Sequence, residues 1–258
     1  MSYYEEKDIA SGAFLRREFV FALQKQNYEN LKDLIEAGTD IYGELYFEHN
    51  ERMTLIEYCM KQREEKLLEW LIFAGFDINR RDHLGRPPLA QAINPNNDDM
   101  LRVLLRAGAR VDERFADTGG MYAPGWICHA GGEKTALMMA CYNGTLRGTK
   151  GLIKAGADVN AMDEKGYTPL MYTALRRFKD DFDFSNFESC SLPEIYSEYT
   201  TIMFASKVAK IAKALIGKGA NVNIVNNVGK TANQITQNKK IKEIIMEKLN
   251  SVQNIGKV

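Results

Sequence analysis

The chain has 258 residues, and its 34 Lys and Arg balance 34 Asp and Glu, for a formal net charge of zero. Hydrophobic residues make up 45% and charged residues 26%, which excludes disorder throughout and supplies enough apolar mass for a core. The even balance argues against a chain held on nucleic acid mainly by phosphate neutralisation, and no apolar run approaches the roughly 20 residues of a membrane span.

Residues 1–12 carry Tyr3, Tyr4, Glu5 and Glu6 where a secretory signal needs a basic start and an apolar stretch. The four cysteines, Cys59, Cys128, Cys141 and Cys190, are widely spaced and form no C-x-x-C pair. A reducing, cytoplasmic setting is therefore expected. Cys59 and Cys141 lie in helical apolar stripes and read as buried thiols.

Along the chain, amphipathic stretches end repeatedly in one phrase. It stands at Ala37-Gly38-Thr39-Asp40-Ile41 and Ala74-Gly75-Phe76-Asp77-Ile78, then at Ala107-Gly108, Ala155-Gly156-Ala157-Asp158-Val159 and Lys218-Gly219-Ala220-Asn221-Val222. Apolar pairs such as Leu71-Ile72, Leu104-Leu105 and Leu152-Ile153 precede the glycines, so each reads as a helix closed by a left-handed residue. The glycines follow one another at intervals of 37, 33, 48 and 63 residues, as a 33-residue unit with loop insertions would give. A second phrase follows the turn: Asp82-His83-Leu84-Gly85-Arg86-Pro87-Pro88-Leu89, Asp163-Glu164-Lys165-Gly166-Tyr167-Thr168-Pro169-Leu170 and Asn226-Asn227-Val228-Gly229-Lys230-Thr231-Ala232, with weaker copies at Thr54 and Thr135. Gly85, Gly166 and Gly229 stand where a tight turn needs positive φ, and Thr168 and Thr231 stand where a helix needs a cap. Asp40, Asp77, Asp158 and Asn221 are placed to tie the loop backbone by short hydrogen bonds.

These phrases and their period resemble the ankyrin repeat. The resemblance implies an all-α ankyrin-repeat solenoid of helix-turn-helix units joined by β-turn loops, a single domain over 1–258. Its units fall at 12–44, 49–81, 82–114, 130–162, 163–225 and 226–258, the first and last reading as caps. One departure stands out. The family's structural T-P-L-H histidine is absent from every unit, and Val20, Glu57, Ala90, Met138, Met171 and Gln234 hold its place.

In that family the turn tips and the first helices form a concave surface that binds protein. By position this implies a binding face containing Met53, Arg81, His83, Arg86, Lys134, Tyr142, Lys165, Tyr167 and Arg176. Two long insertions add candidates. Residues 113–132 are too glycine-rich for a helix yet carry Trp126. The second insertion spans 177–206; within it, 178–199 sets six acids against Lys179 and interleaves aromatics that include Phe182 and Phe184. Acid with aromatics suits a partner that is basic and partly apolar.

Enzyme motifs are weak. His49, His83 and His129 lie far apart with no metal-ligand spacing, and no phosphate-binding glycine loop or nucleophile elbow occurs. The reading is a non-catalytic scaffold-type module that binds another protein as a monomer, with no cofactor and no metal, nucleic-acid or membrane partner. Two alternatives are an inhibitor or regulatory subunit that masks a basic surface with 178–199, and an enzyme built on 113–132 and 177–206.

Overall fold

Most helices here are short, and the backbone shows how they close. The structure, a computed structural model, describes residues 12–47, 51–82, 85–93, 97–116, 133–175 and 198–255. The chain divides into two compact units, Met1–Gln91 and Ala92–Val258.

The first unit begins with α1 (Gly12–Gln24) and α2 (Tyr28–Glu36), packed as a pair through Phe19, Leu23 and Leu31, all at most 2% exposed. A short hairpin follows, β1 (Leu45–Tyr46) against β2 (Arg52–Met53), with Leu45 opposite Met53. It leads into the pair α3 (Leu55–Gln62) and α4 (Glu65–Phe73), and α3 packs on α5 (Pro88–Gln91).

The second unit contains α6 (Asp98–Arg106), the hairpin β3 (Phe115–Ala116) with β4 (Glu133–Lys134), and the pair α7 (Ala136–Asn143) and α8 (Leu146–Lys154). Next come α9 (Pro169–Leu175) and α10 (Glu198–Gly217), then α11 (Ala232–Ile235) and α12 (Lys239–Ile255). Two rows of helices result: α7, α9 and α11 pack in sequence, and so do α6, α8, α10 and α12. Leu137, Met138, Leu152, Met171, Ile211 and Leu215 are fully buried between the rows. Each such side chain contributes on the order of 1.5–3 kcal/mol. No pair buries its apolar stripe alone, so stacking is where the stability arises.

The expected turn chemistry is present throughout the described residues. Gly38, Gly75, Gly108, Gly156 and Gly219 all take φ between 88° and 94°, the left-handed conformation that closes a helix. Asp40, Asp77, Asp158 and Asn221 each accept the N–H of the residue two positions on, at 2.8–3.1 Å. Thr54, Thr135 and Thr231 cap α3, α7 and α11, and each is met by the residue in the missing histidine's place. Glu57 accepts from the Thr54 backbone at 2.9 Å, and Gln234 accepts from that of Thr231 at 2.9 Å. A capping box thus closes the helix start locally.

Two features differ from the expectation of helices joined only by turns. The tips before α3 and α7 are two-stranded hairpins; β3 lies near the start of the first insertion and β4 directly follows its end. Glu198 already begins α10, so a helix occupies the end of what reads in the sequence as the second insertion.

Candidate interaction surface

Three turn tips share one construction. In 82–86, 163–167 and 226–230 the first residue donates its N–H to the carbonyl of the fifth at 3.0–3.1 Å, and the glycine N–H returns to the first carbonyl at 2.8–3.0 Å. The leading side chain fills the turn from inside. Asp82 accepts from the Arg86 N–H at 2.8 Å, Asp163 from Lys165 and Tyr167 at 2.9 and 2.7 Å, and Asn226 from Val228 and Lys230 at 3.2 and 2.9 Å.

In the second unit the last two tips are joined. The Asn227 N–H donates to the Lys165 carbonyl at 3.0 Å, and its side-chain amide donates to the Glu164 carbonyl at 2.9 Å. Gly166 takes φ +77°, and a Cβ there would stand 2.8 Å from Asn227 Oδ1 and 3.0 Å from the Asn226 Cα. Only glycine satisfies both the turn and the close approach.

Below these tips sits a cluster that gathers three of the expected residues around a fourth. Tyr172, 1% exposed, donates its hydroxyl to Asp163 Oδ2 at 2.7 Å. Its ring lies 6.1 Å from that of Tyr167, 6.5 Å edge-on from that of Tyr142, and 5.9 Å from Lys134 Nζ. Tyr172 follows a T-P-L-type start within an apolar run, and nothing in its spacing marks it as the hub.

Several expected tip residues are placed inward. Lys134 is fully buried in β4 opposite Phe115, and Met53 is 9% exposed opposite Leu45, so neither presents a side chain to solvent. Arg86, 18% exposed, spends its guanidinium on Glu57 and Asp82, both at 2.8 Å, and so fastens the start of α3 to the next tip. Arg81 is exposed and donates to the Gly85 carbonyl at 3.2 Å. Lys165 is exposed, whereas Tyr142 and Tyr167 are half-buried. His83, Trp126, Arg176, Phe182 and Phe184 lie outside the described residues.

What the tips of the second unit offer outward is largely apolar. Met162, Val225 and Val228 are 46%, 51% and 71% exposed, the first two holding the same place, one residue before the leading Asp or Asn. Lys165, Lys230 and Glu164 stand beside them in the sequence and are exposed.

The described side chains carry little that favours covalent chemistry. Burial pushes the thiols of Cys59 and Cys141 up to about 12, so both stay protonated and unreactive at neutral pH. Among the described residues no group of three or more His, Cys, Asp or Glu is placed to hold a metal ion.

Residues 133–164, from β4 to the start of the 163–167 tip, match the ankyrin repeat family. Two proteins of Arabidopsis thaliana share local similarity. ADP-ribosylation factor GTPase-activating protein AGD2 is 40% identical over 68 residues, 26% of this chain and 8% of that protein. ADP-ribosylation factor GTPase-activating protein AGD4 is 44% identical over 55 residues, 21% of this chain and 7% of that protein. The B-cell lymphoma 3 protein homolog of Mus musculus is 27% identical over 151 residues, 58% of this chain and 30% of that protein. The chain thus spans under a third of the length of each of these relatives.

Proposed function

We propose that the chain is a non-catalytic protein-binding module of six ankyrin repeats, which takes its partner on the face formed by turn tips and first helices. Ankyrin repeats generally mediate protein–protein interaction, and the repeat matched at 133–164 belongs to that class. The observation that carries the reading is the row of exposed Met162, Val225 and Val228 on tips braced by Asp163, Asn226 and Gly166. Exposed apolar side chains on a rigid backbone are what an interface needs, because little conformational freedom is lost on binding. The short stretches shared with two GTPase-activating proteins cover at most 8% of either.

The test is affinity capture from the native host with the full chain and with Val228→Asp plus Lys230→Glu, both exposed on the last tip. Loss of one defined protein from the variant's capture supports the reading; identical capture by both overturns it. Arg86 is unsuited to this test, since its removal strips Glu57 and Asp82 of their cation.

The acidic stretch 178–199 favours a second reading, in which the module inhibits a partner by covering its basic surface. Replacing its six acids by Asn and Gln distinguishes the two: a masking role loses inhibition, whereas a tip-borne role keeps its partner.

A further inference from the structure

The zero net charge conceals a strong segregation within the second unit. Helices α8 and α10, which pack side by side, turn Leu152, Val208, Ile211 and Leu215 toward the core. On their opposite sides they expose Arg147, Lys150 and Lys154, and Lys207, Lys210 and Lys213. Spacings of three and four residues in α8, and of three and three in α10, keep each set on one stripe of its helix. No Asp or Glu stands among the described side chains of either helix, and none of the six cations has an ion-pair partner among the described residues. Asp98, on the neighbouring α6, lies close enough to Arg147 to feel its charge. With about 1.5 Å rise per residue and about 10 Å between packed helices, the six charges occupy a field about 10 Å on a side.

We infer that this face is a docking surface for a membrane leaflet rich in anionic phospholipid. Charge complementarity requires an anionic partner, and the side chains between the cations decide which. Gly151, Ile153, Ser206, Ala214 and Ile216 are small or aliphatic. They include no aromatic ring on which a base could stack, and no Asn or Gln to read a base edge. Five of the six cations are lysines, compact point charges suited to a diffuse layer of headgroups more than to the paired oxygens that an arginine fork selects. Near an anionic leaflet each Lys or Arg raises binding about fivefold, falling off within a Debye length. That the chain has no helix long and apolar enough to cross a membrane does not bear on adhesion of this kind. The face belongs to the second row of helices and is separate from the tips of the proposed partner site.

The test is co-sedimentation of the full chain with phosphatidylcholine vesicles containing 0, 15 or 30% phosphatidylserine at about 0.1 M salt. Binding is expected to rise with the phosphatidylserine fraction and to vanish at about 0.5 M salt. Lys150→Gln, Lys154→Gln and Lys210→Gln together are expected to lower it at least about tenfold. Lys25→Gln, Lys32→Gln and Lys66→Gln, an equal loss of charge in the first unit, are expected to leave it within about twofold. Thermal unfolding of both triple variants controls for folding, and a second set with Lys207→Gln and Lys213→Gln replaces the first if that one is destabilised. Absence of binding to 30% phosphatidylserine, or equal losses in the two triples, overturns the inference. Tighter binding to a 20-base-pair DNA duplex than to the vesicles also overturns it and assigns the face to nucleic acid.

Discussion

At Gly166 two demands meet, a left-handed φ of +77° and a contact that leaves no room for a Cβ beside Asn226 and Asn227. At Gly219 only the first holds, at φ +92° with nothing within 4 Å of a Cβ. Gly219→Ala should therefore cost about 1 kcal/mol and Gly166→Ala about 2–3 kcal/mol, the difference being read from urea midpoints at constant slope. Asn226 states a related point through its side chain. In two other tips the leading Asp accepts from the residue nine positions on, Gln91 at 3.2 Å and Tyr172 at 2.7 Å. Ile235 holds that place in the last tip, and there Asn226 Nδ2 is buried without a partner among the described residues. Asn226→Asp should destabilise by about 1–3 kcal/mol, because one carboxylate oxygen would keep the Val228 and Lys230 N–H groups while the other, in the place of Nδ2, would be buried with no donor to meet it. The cysteines give a further test. At pH 8, site-resolved alkylation should leave Cys59 and Cys141 unmodified until denaturant is added. Their raised values mean that the folded chain holds these protons longer than the unfolded chain, so stability should fall as pH climbs from 9 toward 12. That these thiols are buried is readable from their place in apolar stripes. The burial of Lys134 is not, because a lysine at a turn tip has the pattern of a solvated residue, and only the pairing of β4 with β3 turns it inward.

Among elements, the helix starts show how a missing residue is replaced. Glu57 closes the capping box of α3 and also binds Arg86 of the following tip at 2.8 Å, so one carboxylate serves a helix end and its neighbour. Glu57→Ala should cost about 1–2 kcal/mol, and a double-mutant cycle with Arg86→Ala should return a coupling above about 0.5 kcal/mol. Gln234→Ala removes only the local cap of α11 and should cost less. Helix ends were the most readable part of the sequence, since Gly after an apolar pair and Thr before one are each dictated by backbone geometry. The hairpins were not readable, because strands of two residues are too short to show alternation. The start of α10 at Glu198 escaped for another reason: an acidic, aromatic stretch gives no apolar stripe from which a helix could be told.

For the whole molecule, net charge proved a poor guide to surface. Zero overall is compatible with a basic field on α8 and α10 and with six acids against one lysine in 178–199. Positions along a repeat can be assigned from a period, but the pooling of charge across helices far apart in sequence appears only once they pack. Turn hydrogen bonds add one more property. Tyr42 accepts the Asp77 N–H at 2.9 Å within the first unit; within the second, Asp112 accepts that of Asp158 at 3.0 Å and Asn160 that of Asn221 at 2.7 Å. In each case the residue four positions past a closing glycine reaches the residue two positions past the next. Every such rung joins adjacent turns and none skips one. Mechanically, such a chain is a zip: tension applied to its ends loads the terminal rung first and shares little with those behind it. Stretched in an optical trap, the second unit should yield in steps of one repeat, each releasing about 110 Å of chain, with the step that contains 178–197 longer than the rest.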